Sequence, residues 1–148
     1  MKLGLKLTAV FLLALAGVYL GLGGSLVQAT TAAPVQITPD NFKTEVLKSK
    51  LPVMVDVGAT WCGPCHLLAP TVDKMSDAYS GKLKVATMDA DQNSDWVGQL
   101  GVQAFPTLLF FKNGKVVKTL IGLQTEKDLR LEIDRFLKSA QKAPVKPS

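Results

Sequence analysis

Residues 53–66 of the chain read VMVDVGATWCGPCH, and this stretch decides the fold. Its first half, Val53–Gly58, is a short apolar run rich in β-branched residues, which is typical of a buried strand, although it contains the charged residue Asp56. From Cys62 to Tyr79 the apolar residues instead recur at helical spacing. The stretch therefore predicts a strand that passes through a short loop into a helix, with two cysteines where the helix begins.

The position of these cysteines favours thiol chemistry. A helix N-terminus offers unpaired N–H groups and the positive end of the helix dipole, and both would stabilise a thiolate on Cys62. Cys65 lies one turn along on the same side, and Pro64 restricts the backbone between them. The chain has only two cysteines, too few for a disulfide-stapled scaffold, which leaves a redox pair, half of a metal site or a haem attachment point.

Length and charge set outer limits on the function. The 148 residues suffice for one domain with short extensions, and the formal net charge is +5. Lys and Arg are spread along the chain rather than clustered, which indicates a solvated, mildly basic surface. We therefore expect no nucleic-acid partner.

The N-terminal segment has the order of an export signal. Lys2 and Lys6 are followed by no charged residue before Asp40, and Leu7–Leu22 is a continuous apolar run. Small residues up to Ala29 suit a cleavage site. Residues 1–29 are therefore predicted to be a signal peptide or an uncleaved membrane anchor, followed by a linker over residues 30–34. Both alternatives place the rest of the chain outside the cytoplasm, in the periplasm or an equivalent space.

The rest of the chain alternates between helical and strand patterns. A first helix is predicted to end at Lys48, before the elements described above. After those elements, the pattern predicts a strand at 83–89, a short helix at 94–100, strands at 107–111 and 115–121 joined by a hairpin turn, and a capped last helix from Thr125. This order favours an α/β fold with a central mixed sheet flanked by helices on both faces. Residues 139–148 are predicted to be a flexible tail.

The chain resembles the thioredoxin family over residues 35–138, which implies a thioredoxin fold for this domain. Besides the cysteine motif, several separated features carry the resemblance: Asp56 six residues before Cys62, Pro70 in the following helix, Asp89–Asn93, Phe105-Pro106-Thr107, Asn113-Gly114 and Gly122. A Cys-x-x-Cys pair alone is a weak signal, whereas this ordered set is specific.

The resemblance implies a catalytic role for three residues. Cys62 would be the nucleophile, Cys65 the resolving thiol, and the two would form a redox-active disulfide. Asp56 would accept the proton of Cys65, and its burial in an apolar strand should raise its pKa toward neutrality. No cofactor and no metal site are expected.

The resemblance also implies a substrate-binding surface. Pro106 would follow a cis peptide bond and hold Phe105 where its backbone can pair with an extended substrate. Trp61 would pack beside the cysteines. The remaining residues assigned to this surface are Gly63, Pro64 and Gly122.

Four residues depart from the family pattern. Gly58 stands where an aromatic residue is common, Thr60 where Glu or a similar residue is usual, Thr87 where a Lys often accompanies the buried Asp, and His66 where Lys follows the second cysteine. These departures bear on the redox potential rather than on the reaction class.

His66 also opens an alternative, because Cys62-Gly63-Pro64-Cys65-His66 fits the pattern for covalent c-type haem attachment. Haem attachment is less favoured than a redox pair, because haem would need a second axial ligand and His66 is the chain's only histidine. Zinc is weaker still, because two cysteines and one histidine supply only three ligands.

The direction of electron flow is the remaining question. An oxidase or isomerase shares this fold and nucleophile, but the Gly63-Pro64 dipeptide and the absence of a large inserted helical domain favour a reductase. The expected partners are protein disulfides, including oxidised apocytochrome c or other envelope proteins, and a membrane thiol-electron donor. The membrane itself is a partner if the N-terminal segment is uncleaved, and we expect a monomer.

Overall fold

The computed structural model describes residues 32–142. The predicted signal or anchor over residues 1–29, the start of the linker and the last six residues of the predicted tail lie outside the described residues. Among the described helices, none has the length and hydrophobicity needed to span a bilayer.

Residues 32–142 contain nine helices and strands. In chain order they are β1 (Val35–Ile37), α1 (Lys43–Leu47), β2 (Val53–Gly58), α2 (Gly63–Ala78), β3 (Lys84–Asp89), α3 (Ser94–Gln99), β4 (Thr107–Lys112), β5 (Lys115–Ile121) and α4 (Glu126–Lys142). The predicted α/β fold is confirmed, with the bounds of β2 and β5 as predicted.

The five strands form one mixed sheet in the order β1-β3-β2-β4-β5. β1, β2 and β3 are parallel, whereas β4 runs antiparallel to both of its neighbours. Because β2 and β3 end side by side, with Gly58 opposite Asp89, the loop that carries the cysteines leaves from that end of the sheet. We call this end the cysteine pole and the opposite end, where β2 and β3 begin, the basal pole.

The hydrophobic core lies on both faces of the sheet. Neighbouring residues of β4 alternate between the two faces: Leu109 packs with Phe42 and Val46 of the α1 region, and Leu108 packs with residues of α2 and α4. Since period-two alternation sends successive side chains to opposite faces, each central strand contributes to both layers. Because β2 is packed on both faces, its position in the sheet is fixed, and so is the position of Gly58 at the cysteine pole.

The first elements of the domain differ from the sequence prediction. β1 was not predicted; it pairs with β3, with Val35 opposite Ala86. The predicted first helix is reduced to α1, a five-residue π-helix in which the Lys48 N–H donates to the Lys43 carbonyl oxygen over 2.9 Å. A turn precedes it, closed by the Thr38 N–H, which donates to Asn41 Oδ1 over 2.9 Å.

Candidate active site

The cysteines lie at the junction of β2 and α2. Cys62 is the N-cap residue of α2, with extended backbone, and Pro64 occupies the first turn. A disulfide joins Cys62 to Cys65, whose Cα atoms are 5.3 Å apart, and both residues are buried. The Cys65 N–H donates to Cys62 Sγ over 3.3 Å. After reduction, this N–H and the helix dipole would stabilise a negative charge on Cys62 Sγ.

Asp56 is the buried acid of the site. It lies in the middle of β2, it is only 7% exposed, and its Oδ1 has no hydrogen-bond partner among the described residues. Burial raises the pKa of this carboxyl group to about 6, as the sequence predicts for an acid in an apolar strand. The group can therefore take up or release a proton near neutral pH.

A pocket of about 220 Å³ links Asp56 to Cys65. Asp56, Gly58, Cys65, His66 and Thr87 all contribute to its wall. A Cβ atom placed on Gly58 would lie 3.1 Å from Cys65 Sγ, so the glycine keeps this side of the disulfide open. The volume is enough for several water molecules, each of which takes about 30 Å³ in the liquid. A water-mediated path between Asp56 and Cys65 is therefore sterically available.

Two of the residues that depart from the family pattern contact each other. His66 Nε2 lies 2.8 Å from the carbonyl oxygen of Thr60. Because a carbonyl oxygen only accepts, His66 carries its hydrogen on Nε2 and donates it to Thr60. The bond connects the first turn of α2 to the loop before Cys62.

Trp61 forms an exposed surface beside the disulfide. Its side chain is 68% exposed, and its ring meets that of Phe105 edge to face with centroids 5.8 Å apart. The indole N–H donates to Asp91 Oδ2 over 3.0 Å. The ring is thus held in place although most of it faces solvent. This function of Asp91 was missed by the sequence analysis, because 30 residues separate it from Trp61.

The predicted cis-proline loop is also present. The peptide bond between Phe105 and Pro106 is cis, as the resemblance implied, and Phe105 packs against the buried cysteines. The Pro106 carbonyl oxygen accepts a hydrogen bond from the Gly122 N–H over 2.8 Å, and Gly122 has a φ of +87°, which favours glycine. The structure therefore brings Gly122 to the same pole as the disulfide.

The predicted site residues fall into two groups around the disulfide. One group lines the pocket beside Cys65 and includes Asp56. The other consists of the exposed Trp61, the half-buried Phe105 and the buried Pro106. Gly63 and Pro64 are exposed at the start of α2, on the same pole. The pocket also includes Gln36 of the unpredicted strand β1, whose Oε1 accepts a hydrogen bond from Thr87 Oγ1 over 3.0 Å.

Comparisons with known proteins agree with this geometry. The family model described as Thioredoxin matches residues 33–135. The chain is 40% identical over 106 residues to a thioredoxin of Synechocystis sp., a match that covers 72% of this chain and 99% of that relative. It is 45% identical over 93 residues to a thioredoxin of Rickettsia felis, covering 63% and 89%. The chain therefore belongs to the thioredoxin family and is a thiol–disulfide oxidoreductase that acts on protein disulfides.

Proposed function

We propose that this chain is an exported or membrane-anchored thioredoxin that reduces protein disulfides outside the cytoplasm. The observation that carries the reaction is the position of Cys62, whose sulfur caps α2 and accepts the Cys65 N–H over 3.3 Å. The support for export is the charge-free apolar run behind Lys2 and Lys6, together with the small residues up to Ala29.

The first step of the proposed mechanism is attack by Cys62. In the reduced protein the Cys62 thiolate attacks one sulfur of a substrate disulfide. A mixed disulfide forms between Cys62 and the substrate, and the other substrate sulfur leaves as a thiolate. The helix N-terminus favours this step because it stabilises the attacking thiolate.

The second step releases the substrate. Asp56 takes the proton of the Cys65 thiol through water in the pocket, and the Cys65 thiolate attacks Cys62 Sγ. The mixed disulfide breaks, and the second substrate sulfur leaves as a thiolate. Two electrons have then passed to the substrate, and the chain is left with the Cys62–Cys65 disulfide that the structure contains.

Substrate binding is assigned to the surface in front of the disulfide. Trp61 supplies exposed aromatic area beside the half-buried Phe105. The backbone at Phe105, beside Pro106, pairs with an extended substrate segment. Gly122 leaves room for that segment because it has no side chain. Gly63 and Pro64 complete this surface on the side of α2.

The proposed direction is reduction, because the Gly63-Pro64 dipeptide resembles that of reducing members of the family. A reductase outside the cytoplasm needs electrons, so we infer a membrane thiol-electron donor. Oxidised apocytochrome c or other envelope proteins are the inferred acceptors. Haem attachment is not proposed for the Cys62–His66 segment, because it would consume both of the sulfurs that the proposed thiol chemistry needs.

Rapid acid quenching of cells, followed by alkylation of free thiols and mass measurement, tests the direction. A reductase is expected to carry mainly free Cys62 and Cys65 thiols at steady state. A Cys65→Ser variant provides the matched reference, because it keeps the nucleophile and should accumulate mixed disulfides with substrates. A steady state in which both cysteines of the native chain are fully oxidised would contradict the reductase assignment.

Fractionation of the same cells tests the location. The domain is expected outside the cytoplasm, either as a soluble chain whose mass indicates cleavage after Ala29 or as an uncleaved chain in the membrane fraction. Recovery of the full-length chain in the cytoplasmic fraction would overturn the export proposal and leave the thiol chemistry intact.

A further inference from the structure

The lysines of the described domain are concentrated at the basal pole. Four segments meet there, 48–53, 80–84, 111–116 and 137–141, and none of them contains an acidic residue. Their basic residues are Lys48, Lys50, Lys82, Lys84, Lys112, Lys115 and Lys138. These lysines are spread along the chain, and the fold brings them to one end of the domain.

Direct contacts join these segments into one face. Lys50, Lys112 and Ala140 line the same small pocket, and Lys112 Nζ lies 3.4 Å from the carbonyl oxygen of Ser139. The Lys84 N–H donates to the Pro52 carbonyl oxygen over 2.9 Å. The end of α4, the β4–β5 hairpin and the starts of β2 and β3 are therefore neighbours.

Most of the charge on this face is not neutralised within the domain. Lys84 pairs with Glu45 over 2.8 Å, but the other six lysines form no ion pair with a described residue. Two apolar side chains, Leu51 and Val116, are exposed among them, at 36% and 38%. The face thus combines several ammonium groups with a small amount of exposed hydrophobic surface.

The cysteine pole has the opposite charge. Its segments, 37–42, 58–66, 89–95, 104–107 and 121–125, contain no Lys or Arg. They contain four aspartates that are at least partly exposed, which are Asp40, Asp89, Asp91 and Asp95. Six residues of β2 separate the poles, about 20 Å at roughly 3.3 Å per residue, which exceeds the Debye length of about 8 Å at physiological salt. A charged surface near one pole therefore interacts mainly with that pole.

The described chain enters the domain on the basal side. The N–H of Ala32 donates to Asp77 Oδ1 over 2.6 Å. Asp77 is the last residue but one of α2, a helix that begins at the cysteines and ends at the basal pole. The polypeptide that connects to the apolar N-terminal segment therefore joins the domain near the lysine face and far from the disulfide.

The geometry points to a docking function for the basal pole: the lysine face lies against a membrane surface of anionic phospholipids, with the cysteine pole turned away. This inference rests on the membrane location in the proposed function. Each lysine near an anionic surface strengthens binding about fivefold, whereas the aspartates of the cysteine pole oppose docking through that pole. Membrane contact on this side leaves the disulfide and Trp61 accessible to protein substrates.

Hydrogen–deuterium exchange of the full chain in lipid vesicles tests this orientation. The chain is reconstituted in phosphatidylcholine vesicles with and without phosphatidylglycerol. We expect slower exchange in segments 48–53, 80–84 and 111–116 with the anionic lipid, no change at the cysteine pole, and loss of the effect at high salt. A triple variant, Lys48→Gln, Lys50→Gln and Lys115→Gln, should weaken docking roughly a hundredfold and abolish the protection.

A second triple variant, Lys43→Gln, Lys74→Gln and Lys127→Gln, loses the same charge outside the basal segments and should keep the protection. Equal protection of both poles, or equal behaviour of the two variants, would overturn the inference. So would equal protection when a DNA duplex replaces the anionic lipid, because the face would then bind polyanions in general. The rate at which the chain reduces a substrate disulfide, measured in the same samples, should be unchanged in both variants. Failure of the native chain to reduce that disulfide would count against the proposed function instead.

Discussion

Asp56 makes the stability of the domain depend on pH. Its pKa of about 6, against 3.8 in the unfolded chain, means that the folded state binds more protons between these values. The free energy of unfolding should therefore fall by roughly 3 kcal/mol as the pH rises from about 4 to about 6, and stay level above that. Asp56→Asn should remove this fall and be more stable than the native domain at pH 7.

Urea denaturation of the oxidised protein at several pH values measures this effect. Asp73→Asn, at an exposed position of α2, is the matched control and should keep the native pH profile. A native profile that is flat between pH 4 and pH 6, or one that rises, would exclude a raised pKa at Asp56.

The same carboxyl group should be needed for the second chemical step. Without a proton acceptor in the pocket, Cys65 is deprotonated more slowly, and Asp56→Asn should slow the release of substrate from the mixed disulfide at least tenfold at pH 7. Stopped-flow measurement separates this step from the attack by Cys62, which should change little. Equal slowing of both steps would argue for a general distortion of the site.

Gly58 sets how closely β2 approaches the second cysteine. In Gly58→Ala the new Cβ atom would lie 3.1 Å from Cys65 Sγ and 3.3 Å from its Cβ, so the disulfide or the strand must shift. We expect the oxidised protein to lose about 1–2 kcal/mol of stability, which is typical of overpacking. Thermal or urea unfolding measures the loss.

Gly98→Ala is the matched control for Gly58→Ala. Gly98 lies within α3, and a Cβ atom placed there would have no neighbour within 4 Å. This variant should gain up to about 1 kcal/mol, since Ala is favoured over Gly in a helix. A similar loss in both variants would contradict the steric explanation for Gly58.

Among the elements, α4 has the clearest start signal. The Asp128 N–H donates to Thr125 Oγ1 over 3.1 Å, and the Thr125 hydroxyl donates to Asp128 Oδ2 over 2.7 Å. Thr125→Ala should cost about 1 kcal/mol of stability, because it removes the acceptor for an N–H of the first turn. Thr125→Ser keeps the hydroxyl and should retain most of the stability in the same denaturation experiment; an equal loss in both variants would rule out capping as the cause.

The elements also differ in how far the sequence determines them. β2 and β5 were predicted with their observed bounds, because an apolar run and an Asn113-Gly114 turn are local signals. β1 was missed, because its three residues are too few to display a period and its strand form comes from pairing with β3. The shortening of the first helix to α1 likewise could not be predicted from its apolar spacing.

The site was predictable to a similar extent. The placement of Cys62, Cys65, Asp56 and Pro106 could be predicted, because these residues have fixed positions relative to a recognisable motif. Asp91 could not be assigned to Trp61 from the sequence, since their contact exists only after the sheet has formed. The same applies to the basal lysines, whose distance along the chain hides their proximity in space.

At the scale of the whole molecule, the two core layers share the same central strands. Leu108 and Leu109 are adjacent in β4 and buried on opposite faces. Leu108→Ala and Leu109→Ala should each lower the free energy of unfolding by about 2–5 kcal/mol, and both variants should still unfold in a single transition. Urea denaturation followed by circular dichroism and by fluorescence measures both quantities.

Leu131→Ala serves as the control for the two core variants. Leu131 lies in α4 and is 47% exposed, so its truncation should change stability by no more than about 0.5 kcal/mol. If one core variant unfolded in two separate transitions, the layers on the two faces of the sheet would be independent units.

The outer strands of the sheet have a consequence for self-association. An open strand edge can recruit the same edge of another copy and start aggregation. Here β1 offers only three residues, and β5 carries Lys115 and Lys118, of which Lys118 is paired with Glu132. Short and charged edges oppose strand addition, so copies of this protein should stay dispersed even when they are crowded together.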